Sequence, residues 1–109
     1  FFNEWDIFIS PTCLTPAPRL GEFNGNAESL TGDQWFEHYF AAYVPFLPIC
    51  NVSGQPAMSI PLHQTDDGLP VGVHCVARFG EEGTLIQLAA QLEEAAPWAH
   101  RHPPHSLFN

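Results

Sequence analysis

The chain has 109 residues, of which 45% are hydrophobic, and its 12 acidic residues outnumber three arginines to give a formal net charge of −9. This charge excludes a role based on attraction to nucleic-acid phosphates, which supplies most of the affinity in that class of protein. No apolar run approaches the roughly 20 residues that span a bilayer, so no membrane partner is expected either.

The first predicted element is a strand over residues 6–10, an apolar run that ends at Pro11. Such continuous runs are typical of strands buried on both faces of a sheet. Because this strand starts within five residues of Phe1, we expect the chain to be a segment of a longer protein. Residues 11–30 contain several prolines, glycines and asparagines without periodicity, and they are predicted to form a loop.

A helix is predicted to start at Thr31, which forms a capping box with Gln34, and to continue until Pro45. We interpret its aromatic stripe as core, with a substrate-channel lining as the alternative. The stripe consists of Trp35, Phe36, Tyr39, Phe40 and Tyr43.

Residues 51–56 are predicted to form a loop that redirects the chain from helix to strand, because Gly54 permits positive φ and Pro56 keeps its predecessor extended. Two strands follow, at 57–63 and 71–78, and the Asp-Gly pair at 67–68 joins them as an antiparallel hairpin. Pro61 cannot donate a ladder hydrogen bond, so the first of these strands is expected to lie at an edge, to contain a bulge or to pair through only one side there.

The clearest helix spans residues 81–96, where apolar residues form one stripe and Thr84 with Gln87 offers a capping box. Residues 97–109 are rich in proline and histidine, and they are predicted to form a surface tail that Trp98 anchors.

The titratable residues suggest neither a metal site nor a cofactor. Cys13, Cys50 and Cys75 lack metal-type spacing and are expected to be unpaired thiols, which indicates a reducing cytoplasm. The C-terminal histidines lack nearby cysteines or carboxylates to complete a ligand set. The other three are expected to be hydrogen-bonded in the core. The C-terminal histidines are His100, His102 and His105, and the other three are His38, His63 and His74.

Three strings between residues 51 and 73 carry a family resemblance: NVSGQPA at 51–57, MSIPL at 58–62 and DGLPVGV at 67–73. Together they resemble the C-terminal part of the amidase signature family of hydrolases. The ending of the chain is similar to bacterial amidases of the 6-aminohexanoate-cyclic-dimer hydrolase type. The resemblance implies an α/β fold in which residues 1–109 form a C-terminal segment of an amidase domain, with about three strands of a larger mixed sheet and two packing helices.

The resemblance also implies amide hydrolysis by a lysine and two serines. This chain has no lysine, no Ser-Ser pair and no adjacent glycines, so none of its residues is assigned a catalytic role. A serine hydroxyl is a weak nucleophile without a positioned base, and the chain alone is therefore predicted to be inactive. The implied partners are the rest of the amidase chain and a small-molecule amide. The oligomeric state stays open, because the aromatic helix face could pack internally or against a second copy of the protein in a homo-oligomer.

In this family the segment before residue 51 often contributes to the wall of the substrate channel. That makes Phe46, Leu47 and Cys50 the candidate substrate-binding residues, although burial alone would also explain apolar residues there. Two alternatives remain open. The chain could be a non-catalytic interaction module or gene remnant, or it could be the C-terminal part of an amidotransferase A-type subunit, which frees ammonia from an amide.

Overall fold

The computed structural model describes residues 1–24, 26 and 30–102. In that part of the chain the helices are α1 (Gly32–Phe36), continued by a π-helical segment (Glu37–Ala41), then α2 (Pro48–Ser53) and α3 (Glu82–Ala95). The strands are β1 (Ile7–Pro11), β2 (Ala57–Gln64) and β3 (Pro70–Ala77). The predicted α/β fold with three strands is confirmed.

The three strands form one antiparallel sheet in the order β1-β3-β2, with β3 in the centre. Gly68, with φ of 86°, turns the chain between β2 and β3, as the Asp-Gly pair predicts. The ladder between β2 and β3 is irregular between Ile60 and His63, on either side of Pro61. Both expectations for β2, an edge position and a bulge near the proline, are therefore confirmed.

Side chains alternate between the two faces of this sheet. One face, which we call the apolar face, carries Ile60, Cys75 and Ala77, and α3 covers it by inserting Leu85 between them. All four residues are at most 4% exposed. Trp98 packs against the same cluster, so the predicted anchor of the C-terminal segment is confirmed.

The opposite face, which we call the polar face, carries Ser10 on β1, Ser59 on β2 and His74 on β3, and these three residues are partners in the strand register. Gly72 on β3 extends the polar face by one further step, because alternation places residues two apart on the same side. Thr12, which directly follows β1, continues the pairing there and donates its N–H to the Gly72 carbonyl at 3.1 Å. At the other end of the same face lie Phe8 and Val76.

The prediction that β1 is buried on both faces is wrong. Phe8 is 40% exposed and Ile9 is 63% exposed, whereas only Ser10 is buried. The reason is position, since β1 is an edge strand and α3 packs on β2 and β3. An apolar run predicts a strand, but it does not determine which other elements cover the two faces of that strand.

The first helix differs from its prediction although its start is correct. The capping box of Thr31 and Gln34 is present, but the helix widens into the π-helical segment at Glu37 and ends at Ala41, before Pro45. The interpretation of the aromatic stripe as core is also wrong, because none of its five residues is fully buried. The rings stack on one another instead, with centroids 5.1 Å apart for Trp35 and Tyr39.

The predicted loop at residues 51–56 is wrong in its first half, which belongs to α2. This helix has Pro48 in its first turn and ends at Gly54, whose left-handed conformation (φ 72°) lets its N–H reach the Cys50 carbonyl at 2.9 Å. A proline at the start and a glycine just past the end do mark a helix, but six residues are too few to show a periodic apolar stripe.

The helix predicted over 81–96 is confirmed as α3, but its capping box is wrong. Thr84 lies inside the helix, and its hydroxyl donates to the Glu81 carboxylate at 3.2 Å. The predicted surface tail is described only as far as residue 102, and residues 103–109 lie outside the described range. Among the described residues, no helix is long and apolar enough to cross a membrane.

Candidate functional site

The polar face is the part of the sheet where groups capable of chemistry come together. Ser10 Oγ lies 3.1 Å from His74 Nδ1, and the two residues are 8% and 4% exposed. They sit on adjacent strands at the same register position. A buried polar side chain is costly unless it is hydrogen-bonded, so each residue supplies the partner that the other needs.

Burial lowers the pKa of His74 below its ordinary value of 6.5, because a charged imidazole is poorly solvated inside the protein. The prediction of a hydrogen-bonded core histidine is confirmed for His74, and its lowered pKa favours the neutral form. The same prediction is wrong for His38 and His63, which are exposed. His38 is on the π-helical segment, and its ring contacts Phe23.

A serine beside a histidine can form a nucleophile and base pair, but this pair is not arranged for that chemistry. Ser10 is buried, and no carboxylate in the described residues hydrogen-bonds to His74 to orient it. The pair ties the edge strand β1 to β3. It is therefore a structural element of the polar face rather than its reactive group.

A second polar contact lies one register step further along. Thr12 Oγ1 and Ser59 Oγ are 2.6 Å apart and join the two outer strands across Gly72 of the central strand. A Cβ atom built on Gly72 would lie 2.6 Å from each of these oxygens. Only a glycine in the middle strand leaves room for the two hydroxyls to meet above it.

The side chains of Thr12 and Ser59 line a small pocket of about 270 Å³, which we call the hydroxyl pocket. Cys13 and Tyr43 line it together with Thr12, Ser59 and Gly72. A side-chain hydrogen bond with Cys13, together with burial, raises the pKa of Tyr43 to about 12. The phenol therefore stays protonated across the physiological range of pH.

A larger depression of about 410 Å³ lies at the other end of the polar face, against Phe8 and Val76, and we call it the apolar depression. Two predicted substrate-binding residues, Phe46 and Cys50, line it, whereas Leu47 does not. The N-terminal Phe1 and Phe2, with Pro45, Ile49 and Gln55, complete its lining. Cys50 is buried, which raises the pKa of its thiol.

All three cysteines are free, as predicted. In the described part of the chain, no three histidine, cysteine or carboxylate side chains cluster as a metal site would require. His100 and His102 are exposed, and His105 lies outside the described residues.

Sequence reasoning missed the residues of the hydroxyl pocket. Part of the signal was present, since Ser10 and Thr12, like Gly72 and His74, are two residues apart and must share a face if they lie in strands. The missing information was the register, because the contact between Thr12 and Ser59 joins residues 47 positions apart.

Three comparisons bear on this arrangement. A family model described as Amidase matches residues 1–86. The chain is 43% identical over 105 residues to the 6-aminohexanoate-cyclic-dimer hydrolase of Paenarthrobacter ureafaciens, and 41% identical over 107 residues to the protein of the same name from Pseudomonas sp. (strain NK87). Each alignment covers 91% of this chain and 20% of the relative, so the chain spans about a fifth of their length. A solved structure of 6-aminohexanoate cyclic dimer hydrolase matches with a TM-score of 0.80 at 41% identity, covering 92% of this chain and 21% of the other.

Proposed function

The chain belongs to the amidase family, and from that premise we propose that it forms one wall of the substrate channel of an enzyme that hydrolyses amide bonds of small molecules. The observation that carries this proposal is the apolar depression, because Phe46 and Cys50 converge there from the segment that the family resemblance singled out. Apolar concave surfaces with few polar groups are the usual form of small-molecule sites.

In the proposed enzyme this chain contributes structure and binding rather than the reacting groups. It contains no lysine, and its buried serine pairs with a histidine that burial keeps neutral. The base and the two serines that the family resemblance implies would come from the rest of an amidase chain. The reaction would be acyl transfer from an amide to water, with hydrogen-bond donors stabilising the oxyanion.

The chain's part in binding follows from the lining of the apolar depression. None of its lining side chains is charged, so a charged substrate group entering it would lose its hydration without gaining a partner. We assign Phe46 and Cys50 to the wall directly, and Leu47, at the start of α2, to the support of that helix. A cytoplasmic location stays a prediction, and so does a homo-oligomer formed through the aromatic stripe that begins at Trp35.

A segment exchange tests the proposal. This chain would replace the matching fifth of the Paenarthrobacter ureafaciens 6-aminohexanoate-cyclic-dimer hydrolase, which supplies the remaining four fifths. We expect this chimera to hydrolyse the cyclic dimer, measured by chromatography of the products. A folded chimera without activity would contradict the proposal.

Within the chimera, Phe46→Ala should raise KM about tenfold, since it removes a large apolar side chain from the wall. The matched control is Ile86→Ala, because Ile86 is 69% exposed on α3 and does not line the apolar depression. Equal effects of the two substitutions on KM would show that Phe46 does not form part of the channel wall.

A further inference from the structure

The hydroxyl pocket lies outside the proposed channel wall and has a built arrangement of its own. It is separated from the apolar depression by the pair of Ser10 and His74. Phe8 borders the depression and Thr12 borders the pocket, four residues further along the chain, which corresponds to about 13 Å of extended backbone. The two recesses thus lie at opposite ends of one sheet face.

The hydrogen-bonding capacity of the pocket follows from the contact between Thr12 and Ser59. Each hydroxyl has one donor proton and two acceptor lone pairs. Their mutual bond at 2.6 Å uses one proton and one lone pair. One O–H donor and several lone pairs therefore stay available, and a matching ligand group must offer both an acceptor and a donor.

The absence of charged lining residues further limits the class of ligand that the pocket can bind. None of its lining residues is charged. A carboxylate or an ammonium group would lose part of its hydration there without an ionic partner among the lining side chains, which weakens its binding relative to a neutral group. Tyr43 does not change this balance, because its raised pKa keeps the phenol neutral.

The size of the pocket limits how much of a ligand it can hold. Its volume of about 270 Å³ falls just below the range of about 300–1,000 Å³ typical of pockets for whole drug-sized ligands. It suits one end of a molecule. Carbon atoms of Pro61, Pro70 and Val71 form part of its lining and can contact a short aliphatic chain next to the polar group.

We propose that the hydroxyl pocket binds a neutral carboxamide group, with the Thr12 and Ser59 hydroxyls as its hydrogen-bond partners above Gly72. A carboxamide offers one carbonyl acceptor and two N–H donors without a charge, which matches what the two hydroxyls leave unpaired. This inference rests on the proposed function for the choice of an amide as the ligand class, and it adds a second binding position on the polar face.

The test uses three probes of equal chain length: hexanamide, hexanoate and hexylammonium. Each is titrated into the ¹⁵N-labelled 109-residue chain and followed by the chemical shifts of the Thr12 and Gly72 amides. We expect hexanamide to shift these two signals with saturation and the two charged probes to bind at least about tenfold more weakly. Equal binding of all three probes, or shifts confined to other residues, would overturn the proposal.

Variants distinguish the contribution of the two hydroxyls to hexanamide binding from nonspecific effects of losing a hydroxyl elsewhere. Ser59→Ala and Thr12→Val should each weaken hexanamide binding about three- to tenfold, the range expected for one lost hydrogen bond. The matched controls are Ser53→Ala and Thr84→Val, whose hydroxyls bond to Gln55 and Glu81, away from the hydroxyl pocket. Hexanamide binding that is unchanged in both pocket variants would contradict the assignment.

Gly72→Ala gives a third readout, because its new methyl group must push both hydroxyls apart. The two hydroxyls can rotate away, but Thr12 Cβ, 3.1 Å from the added carbon, must also shift by a few tenths of an ångström. We therefore expect a loss of stability together with the loss of hexanamide binding. Saturable hexanamide shifts at Gly72 together with an inactive folded chimera would refute the proposed function alone. An active chimera together with hexanamide binding that Ser59→Ala and Thr12→Val leave unchanged would refute the pocket alone.

Discussion

The two faces of the sheet are built from the same three strands but differ in what covers them. The apolar face is covered by α3 and contains the residues with the lowest exposure, such as Cys75 and Ala77. The polar face carries paired hydroxyls and a buried histidine, with a recess at each end. Alternation along a strand lets one segment stabilise the fold on one side and present binding groups on the other.

The largest effect should come from the apolar face. Leu85→Ala removes a side chain that is 4% exposed between β2, β3 and α3, and we expect a loss of about 2–5 kcal/mol in the free energy of unfolding. Urea unfolding followed by tryptophan fluorescence measures it, since Trp98 packs on this cluster. Ile86→Ala, one residue along and 69% exposed, serves as the control. A similar loss in both would mean that α3 does not cover this face.

An intermediate effect should come from the buried pair on the polar face. Ser10→Ala leaves His74 Nδ1 without its partner, and we expect a loss of about 1–3 kcal/mol. Ser53→Ala, at an exposed hydroxyl, should change the free energy of unfolding by less than about 0.5 kcal/mol. If Ser10→Ala were neutral, the pair would not help to hold β1 against β3.

The smallest effect should be a pH dependence of the free energy of unfolding that arises from His74 on the polar face. Because burial lowers the pKa of folded His74, the unfolded chain takes up a proton first as the pH falls below 6.5. This contribution to stability is complete above pH 6.5 and is lost as the pH falls through the lowered pKa. His74→Asn should flatten that part of the stability profile relative to the original chain, whereas His63→Asn, at an exposed position, should leave it in place. Parallel profiles for all three proteins would rule out His74 as the source.

Most of the strands, their hairpin and α3 could be predicted because their signals are local. A continuous apolar run, an Asp-Gly turn and a periodic apolar stripe each lie within a few residues. The bulge near Pro61 followed from a single missing N–H. The binding surface could not be predicted in the same way. The contact between Thr12 and Ser59, and the exposure of Ile9, depend on which strands are neighbours and on where α3 packs, and neither is encoded locally.

The irregularity at Pro61 has a further effect on the end of the chain. A proline interrupts the regular pairing of β2, and its carbonyl oxygen accepts a hydrogen bond from Arg101 Nη1 at 3.1 Å. This hydrogen bond attaches the segment after α3 to β2 at the point where the ladder between β2 and β3 is irregular. In the sequence, Trp98 lies between α3 and the residue that donates this hydrogen bond. The irregular strand pairing at Pro61 therefore supplies the attachment point that holds Trp98 against the hydrophobic cluster.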